Sequence, residues 1–386
     1  MIGHGGVAIC GDCARLAVEL SSVPEQPPTG DLLLTGISSL QTMDPRHGGL
    51  LGSIEGAAVA IRNGRFTWVG RQRALPDRYR DYPEIDCDNS MVAPGFVDAH
   101  RHLEAGDLDD LESLTTLLTD QLGESLEQGA TTVEVRSWGA SGPEEEITAL
   151  AAIRAAGEAL PTDVIPSFVV GTVPPVRGSG YQHMLESVLI PTASRVASYL
   201  DVVVGAPLST TQAREVIDHG RRHGLAPRVH VDDTDALEVA LDCQVVSVDG
   251  MVGLEEAATV VAESGSVMVS VPIATWVTAR PDPARSMWEA GAIVALGSGC
   301  QVAKVPNMPM TMAVAVHHGG LTPEQALWSA TRGGALAIEE REKGLVTPGA
   351  VADLVVLGPI SVSDLVTEPG SDPVLRVVKD GVPLGA

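Results

Sequence analysis

Eight short apolar runs alternate with amphipathic stretches through the middle of the chain. The runs are MVAPGFVDAH, ATTVEVRS, DVIPSFVV, LDVVVGA, APRVHV, CQVVSVD, SVMVSVPIA and AIVALGSG. Helical periodicity falls between or after them, over 108–128, 145–158, 210–223, 253–264 and 321–337. Continuously apolar strands are typical of a parallel sheet covered by helices on both faces. Eight such units predict an α/β fold, a (β/α)8 TIM-like barrel, whose chemistry lies at the carboxyl ends of its strands.

Short strands and turns flank this alternation on both sides. Residues 31–93 include a hairpin signal at Asn63 and Gly64, and a similar pattern of strand, turn and strand returns over 341–386. We therefore predict a small β-sandwich domain built from both ends of the chain around a barrel over 94–340. Residues 1–30 form a leader whose order the sequence leaves open.

Charge and cysteine content limit the partners and the compartment. Fifty acidic against 25 basic residues give a formal charge of −25, which repels phosphate backbones and anionic lipid surfaces. We expect a small-molecule substrate, with no nucleic-acid or membrane partner, and leave a homodimer open. Five scattered cysteines and the lack of a signal-peptide pattern favour a cytoplasmic protein without disulfides.

Three histidines stand at the ends of predicted strands. His100 and His102 end the first strand one residue apart, so their side chains share a face, and His230 ends the fifth strand. Side chains from two strands of one barrel mouth meet, and imidazoles bind transition metals. The pattern predicts one divalent metal ion, Zn or Fe, with an open position for water. Histidines with a purely structural or solvated role are the alternative.

Further polar residues end other strands. Asp233 is a candidate general base and equally a candidate N-cap of the next helix. Asp249 and Cys300 are catalytic candidates, although a buried inert thiol is the commoner state of cysteine. The candidates for substrate binding are Glu134, Arg136 and Asp232, and the alternative for each is a solvated charge at a strand end.

Several segments resemble the amidohydrolase superfamily and, within it, the imidazolonepropionases. They are PGFVDAHRH, GATTVEVRS, the VPP at 173–175, RVHVDD, VVSVDG and EKGLVTPGAVADLVVLG, and the resemblance runs from about residue 31 to the C-terminus. It implies hydrolysis of a ring C–N bond by a metal-activated water. It also implies that His100, His102 and His230 are metal ligands.

Four departures from the family pattern concern the site itself. The eighth-strand aspartate that binds metal and handles the proton is matched by Gly299, and the sixth-strand histidine by Gly250. Gly171 and Thr172 stand where a histidine is expected, while Asp233 replaces a glutamate and the loop after the first strand is short.

Because of these departures, we do not expect the chain to act on the family's usual substrate. We predict a diverged metal-dependent amidohydrolase that hydrolyses a cyclic amide or a related non-peptide C–N bond of a small molecule other than imidazolonepropionate. The alternatives are a non-hydrolytic cyclase, lyase or isomerase on the same barrel and a catalytically silent homologue.

Overall fold

The computed structural model describes residues 30–103, 110–139, 143–171, 180–205, 208–299, 307–367 and 370–384. Predictions that concern residues 1–29, Thr172 and Cys300 lie outside these ranges. No helix in the described ranges is long and apolar enough to cross a membrane.

The described residues contain fifteen strands and twelve α-helices. The strands are β1 (Leu32–Gln41), β2 (Ser53–Arg62), β3 (Arg65–Arg71), β4 (Glu84–Pro94), β5 (Phe96–His102), β6 (Ala130–Arg136), β7 (Asp163–Val170), β8 (Tyr199–Val203), β9 (Ala226–Val231), β10 (Ser247–Gly250), β11 (Val267–Ser270), β12 (Val294–Leu296), β13 (Leu354–Val356), β14 (Arg376–Lys379) and β15 (Val382–Leu384). The helices are α1 (Leu111–Glu127), α2 (Pro143–Glu158), α3 (Gly180–Met184), α4 (Ile190–Ala193), α5 (Thr210–Arg222), α6 (Thr234–Asp242), α7 (Ala258–Ser264), α8 (Pro272–Val277), α9 (Ala284–Glu289), α10 (Met308–His317), α11 (Pro323–Trp328) and α12 (Gly334–Ala337). Shorter 3-10 turns lie at Pro45–His47, Gln72–Ala74, Asp77–Tyr79, Glu255–Ala257 and Asp364–Val366, and π-helical turns at Leu185–Leu189 and Ser329–Gly333.

Strands β5 to β12 form one parallel sheet in chain order. The sheet curls until its edges meet, because the Gly299 N–H donates to the His100 carbonyl (2.8 Å) and the Gly299 carbonyl accepts from the His102 N–H (3.3 Å). Helices lie between the strands and cover the apolar outer face. The predicted (β/α)8 barrel is confirmed.

Local sequence signals set where the helices begin. The Asp110 carboxylate accepts hydrogen bonds from the first turn of α1, and Ser209 and Gln212 form a capping box at the start of α5. Such caps satisfy backbone N–H groups that have no partner inside the helix. Each helix can therefore begin close to the carboxyl end of the preceding strand.

The second sheet contains seven strands in the order β15-β14-β13-β4-β1-β2-β3, so both ends of the chain contribute to it. Asn63 and Gly64 connect β2 to β3 with φ of 51° and 72°, as the predicted hairpin requires. The predicted sandwich takes the form of one continuous hydrogen-bonded sheet, because β4 pairs with both β1 and β13. This second sheet is consistent with an extra domain beside the barrel.

A charged cluster, the junction cluster, lies where the amino end of barrel strand β7 meets the second sheet. Lys343 Nζ donates to Asp163 Oδ2 (2.7 Å) and Asp353 Oδ2 (3.0 Å). Lys379 Nζ lies 2.8 Å from the same Asp163 oxygen and 3.3 Å from Asp353 Oδ1. Since Lys379 is only 1% exposed, its ammonium is neutralised by protein carboxylates and not by water.

Candidate active site at the barrel mouth

The register of the parallel strands brings four predicted site residues together. His102 on β5 pairs with Arg136 on β6, and Asp249 on β10 pairs with His230 on β9. His100 lies one pleat below His102 on the same strand, with 5.1 Å between the centroids of their rings. The carboxyl ends of these strands therefore carry a cluster of imidazoles beside one buried carboxylate.

His100 is held by the carboxylate of Asp249. Its Nδ1 lies 2.8 Å from Asp249 Oδ2, and the side chains are 5% and 0% exposed. Ser247 Oγ donates to Asp249 Oδ1 (2.7 Å), and Arg136 Nη2 donates to Oδ2. Burial raises the pKa of Asp249, but Arg136 and the His100 hydrogen bond lower it by more, so the group stays ionised. An ionised acceptor fixes the proton of His100 on Nδ1.

Arg136 lies at the centre of a buried network. Its Nη1 donates to Asp201 Oδ2 (2.6 Å) and its Nε to Glu134 Oε2 (3.1 Å), in addition to the bond with Asp249. Burial lowers the pKa of the guanidinium, but the charges of Asp201, Asp249 and Glu134 raise it above its usual value. The group is therefore a permanent cation within the barrel.

Two of the predicted substrate-binding residues are buried in this network. Glu134 and Arg136 are both 0% exposed and are bonded to each other. They lie beneath the mouth, where they orient Asp249, and the structure offers them no surface for a substrate. The reason is that β6 turns both side chains into the barrel, toward Asp201 on β8 and Asp249 on β10.

The other two imidazoles differ in environment. Burial lowers the pKa of His102 well below its usual value, and the nearby His100 and Arg136 lower it further, so the ring is neutral near pH 7. Its Nδ1 is buried without a hydrogen-bond partner. His230 is partly exposed, and its Nε2 lies 3.4 Å from Asp232 Oδ2. Burial lowers the pKa of His230, but the bond to Asp232 raises it by more.

The remaining predicted residues lie at the rim. Asp233 is exposed and is the N-cap of α6, where its carboxylate accepts from the Ala236 N–H (2.8 Å). The structure thus gives Asp233 the capping role that the sequence left open beside that of a base. Asp232 is exposed next to His230 and faces the mouth.

The three predicted metal ligands approach one another without forming a chelate. The ring centroids of His100 and His230 are 6.5 Å apart, and because Nδ1 of His100 is bound to Asp249, Nε2 is the nitrogen that His100 could offer to a metal. Across the described ranges, no group of three or more His, Cys, Asp or Glu side chains is arranged to hold a metal ion. Members of the amidohydrolase superfamily typically bind a divalent metal, but with glycine at positions 250 and 299 the predicted Zn or Fe site lacks two side chains of the family pattern, including its anionic ligand.

Sequence reasoning missed two members of the cluster, Ser247 and Asp201. Ser247 lies two residues before Asp249 and so shares its face of β10. Asp201 is a lone acid within the apolar run LDVVV. A lone charge inside a buried strand needs a partner, and this was the available signal.

The chain matches the model of the Amidohydrolase family over residues 91–384. It is 33% identical to the imidazolonepropionase of Nocardia farcinica, with 90% of this chain and 97% of that protein covered. Identity to the imidazolonepropionase of Streptomyces griseus is 31%, with 90% and 98% covered.

Solved structures share the fold at lower identity. A zinc-bound adenosine deaminase from Xanthomonas campestris superimposes with a TM-score of 0.74 at 18% identity, over 92% of this chain and 93% of that one. Guanine deaminase from E. coli gives a TM-score of 0.71 at 18% identity, over 92% and 99%. At this identity the similarity is one of fold.

Proposed function

Because the chain belongs to the amidohydrolase family, we propose that it is a hydrolase that cleaves a cyclic amide or related non-peptide C–N bond of a small molecule other than imidazolonepropionate. The observation that carries this proposal is the buried pair of His100 and Asp249 at the barrel mouth, 2.8 Å apart. Solved structures with the same fold as this chain include deaminases and a triazine hydrolase. In this proposal the protein acts on a small molecule in the cytoplasm, as the sequence predicts.

The pair supplies a positioned base. With its Nδ1 proton donated to Asp249, His100 has its lone pair on Nε2, which can accept a proton from water. The resulting imidazolium is stabilised by the Asp249 carboxylate, as in other His–Asp pairs. Arg136 keeps that carboxylate ionised and in place.

The proposed reaction adds one water across the C–N bond. The water oxygen bonds to the carbonyl carbon while His100 Nε2 takes one water proton. The C–N bond then breaks, and His100 returns the proton to the leaving nitrogen. The product is a ring-opened acid and amine, with no other reactant consumed. His102 contributes a second, neutral imidazole beside the reacting group, and Asp232 is the proposed substrate contact at the rim.

The departures from the family pattern favour one further candidate. Gly250 and Gly299 remove two groups through which the family pattern implies proton and metal chemistry. A site that retains the imidazoles without these groups also suits a cyclisation, elimination or isomerisation. In those reactions, proton transfer at the substrate suffices and no water is added.

Turnover in oxygen-18 water tests the proposal. Purified protein is incubated with a panel of five- and six-membered cyclic amides, and products are analysed by mass spectrometry. Hydrolysis places one labelled oxygen in each ring-opened product. Product formed without label would favour the non-hydrolytic candidate, and absence of turnover across the panel would favour a silent homologue.

Two isosteric variants separate catalysis from folding. We expect Asp249→Asn to reduce the rate by about 10²–10⁴-fold, because the amide cannot hold the His100 proton on Nδ1 as a carboxylate does. Asp201→Asn is the matched control, since Asp201 is bonded to Arg136 and does not contact His100. Equal losses of rate in both variants would contradict the role given to the pair.

A further inference from the structure

One departure from the family pattern lies just after the eighth strand, at Gly299. Gly299 has a φ of +65°, and a Cβ built on it would lie 2.1 Å from Val271 Cγ1. Real Cβ atoms do not approach other atoms this closely, so any side chain at position 299 requires Val271 to move. The space that a carboxylate would enter is filled by an isopropyl group.

The backbone at position 299 is fixed on the other side. Its N–H donates to the His100 carbonyl (2.8 Å) and its carbonyl accepts from the His102 N–H (3.3 Å), so it cannot turn away without opening the barrel seam. Val271 is fixed as well. Its carbonyl accepts the Ala274 N–H (3.0 Å) at the start of α8, and a β-branched side chain has few rotamers.

A second glycine of the site, Gly250, is also crowded by a neighbour, although less tightly. Gly250 has a φ of +90°, and a Cβ built there would lie 3.2 Å from His230 Cε1 and 3.5 Å from its Nε2. The His230 ring therefore occupies the volume beside position 250, and it is turned toward Asp232. A side chain at position 250 thus requires only a small shift of His230, whereas one at position 299 requires Val271 to leave its place.

We infer that Val271 closes the eighth-strand ligand position, and that the barrel mouth is an acid–base site that retains no tightly bound divalent metal ion. The second part rests on the proposed function, because it assigns the activation of water to His100 and Asp249. The first part concerns packing alone and holds whatever the substrate is. In this chain the ligand position is therefore closed by Val271 and Gly299 together, and not by the glycine alone.

The test measures zinc binding in the absence of substrate, so its outcome does not depend on the proposed reaction. All proteins carry His223→Ala, because His219 and His223 lie one turn apart on α5 with ring centroids 4.6 Å apart and offer an adventitious surface site. Zinc content is determined by elemental analysis after dialysis, and affinity by competition with a chromophoric chelator.

Three proteins are compared in this background: the parent, Gly299→Asp, and Gly299→Asp with Val271→Ala. We expect the parent and the single variant to retain no stoichiometric zinc. The double variant removes the obstructing methyl groups, so it should retain about one equivalent and bind at least about 100-fold more tightly, because it regains an anionic ligand. Failure of the double variant to gain zinc while folded would overturn the assignment to Val271.

The parent protein tests the inference even if the variants do not fold. About one equivalent of zinc in the parent, lost in a His100→Ala, His102→Ala variant, would overturn it. Parent protein that stays free of zinc and turns over a substrate unaffected by chelator would support it. Chelator-sensitive turnover would overturn the metal-free mechanism while leaving the hydrolase proposal in place.

Discussion

Two buried ion networks, one at the barrel mouth and one at the junction cluster, use similar groups for different ends. At the mouth, Arg136 is surrounded by the carboxylates of Glu134, Asp201 and Asp249. At the junction cluster, two lysines share two aspartates. Only the mouth network ends on a titratable imidazole, that of His100.

The difference lies in what each network leaves unsatisfied. At the mouth, Oε1 of Glu134, Oδ1 of Asp201 and Nδ1 of His102 are buried without a partner. Such atoms are costly to bury, because they have lost water without gaining a hydrogen bond. In the junction cluster, both oxygens of Asp353 are bonded, to Lys343 and to the Asp380 N–H. The junction cluster therefore connects two sheets, whereas the network at the mouth orients the imidazole ring of His100.

The largest expected effect is that of Arg136→Met. It leaves three carboxylates without their cation inside the barrel, and breaking even one buried pair costs roughly 3–5 kcal/mol. We expect the free energy of unfolding, from urea titration followed by circular dichroism, to fall by at least that amount. The control is Arg285→Ala, which removes an exposed, solvent-screened pair with Glu289 and should change the free energy of unfolding little. Similar losses in the two variants would contradict the network described for Arg136.

Lys379→Met is expected to cost less, about 3 kcal/mol, because Lys343 still forms ion pairs with Asp163 and Asp353. The same urea titration measures the loss. Activity with any substrate found should be unchanged in the folded fraction, since the junction cluster is remote from the mouth. A Lys379→Met variant that loses rate without losing stability would contradict a purely structural role for the junction cluster.

The contribution of the junction cluster to the free energy of unfolding is expected to be lost in acid. Burial raises the pKa of Asp163, but Lys343 and Lys379 lower it by more, so the folded pKa lies below the unfolded one. Such a group stabilises the fold above its unfolded pKa, roughly 3.9, and the stabilisation is lost as the pH falls through the folded pKa. The difference in unfolding free energy between wild type and Lys379→Met should therefore be constant from pH 7 to about 5 and narrow below about pH 4. A constant difference down to about pH 2 would show that Asp163 does not contribute in this way.

The smallest effect concerns the rim. Asp233→Ala should reduce stability by about 1 kcal/mol through loss of the N-cap of α6, whereas Asp233→Asn should reduce it by only a few tenths. The rate of turnover gives a second readout, because the cap role predicts that Asp233→Asn keeps its activity. Abolished turnover in a stable Asp233→Asn variant would restore Asp233 as the base.

Part of this architecture was predictable because it depends on local pattern. Eight apolar runs separated by helical periodicity determine a barrel, and Asn63–Gly64 determines a hairpin, since each follows from residues close in sequence. The same reasoning placed His100 and His102 on one face of a strand. It did not distinguish a solvated strand-end charge from a buried one, as Arg136 shows.

The sequence by itself determined the barrel, the family and which side chains stand at its carboxyl edge, because strand periodicity and motif spacing are properties of the chain. Only the tertiary structure decided that Arg136 lies beneath the mouth, that Asp249 holds His100, and that Val271 fills the space beside Gly299. These contacts join residues more than a hundred positions apart in sequence, or on separate strands. Their energies depend on burial and distance, which no local pattern encodes.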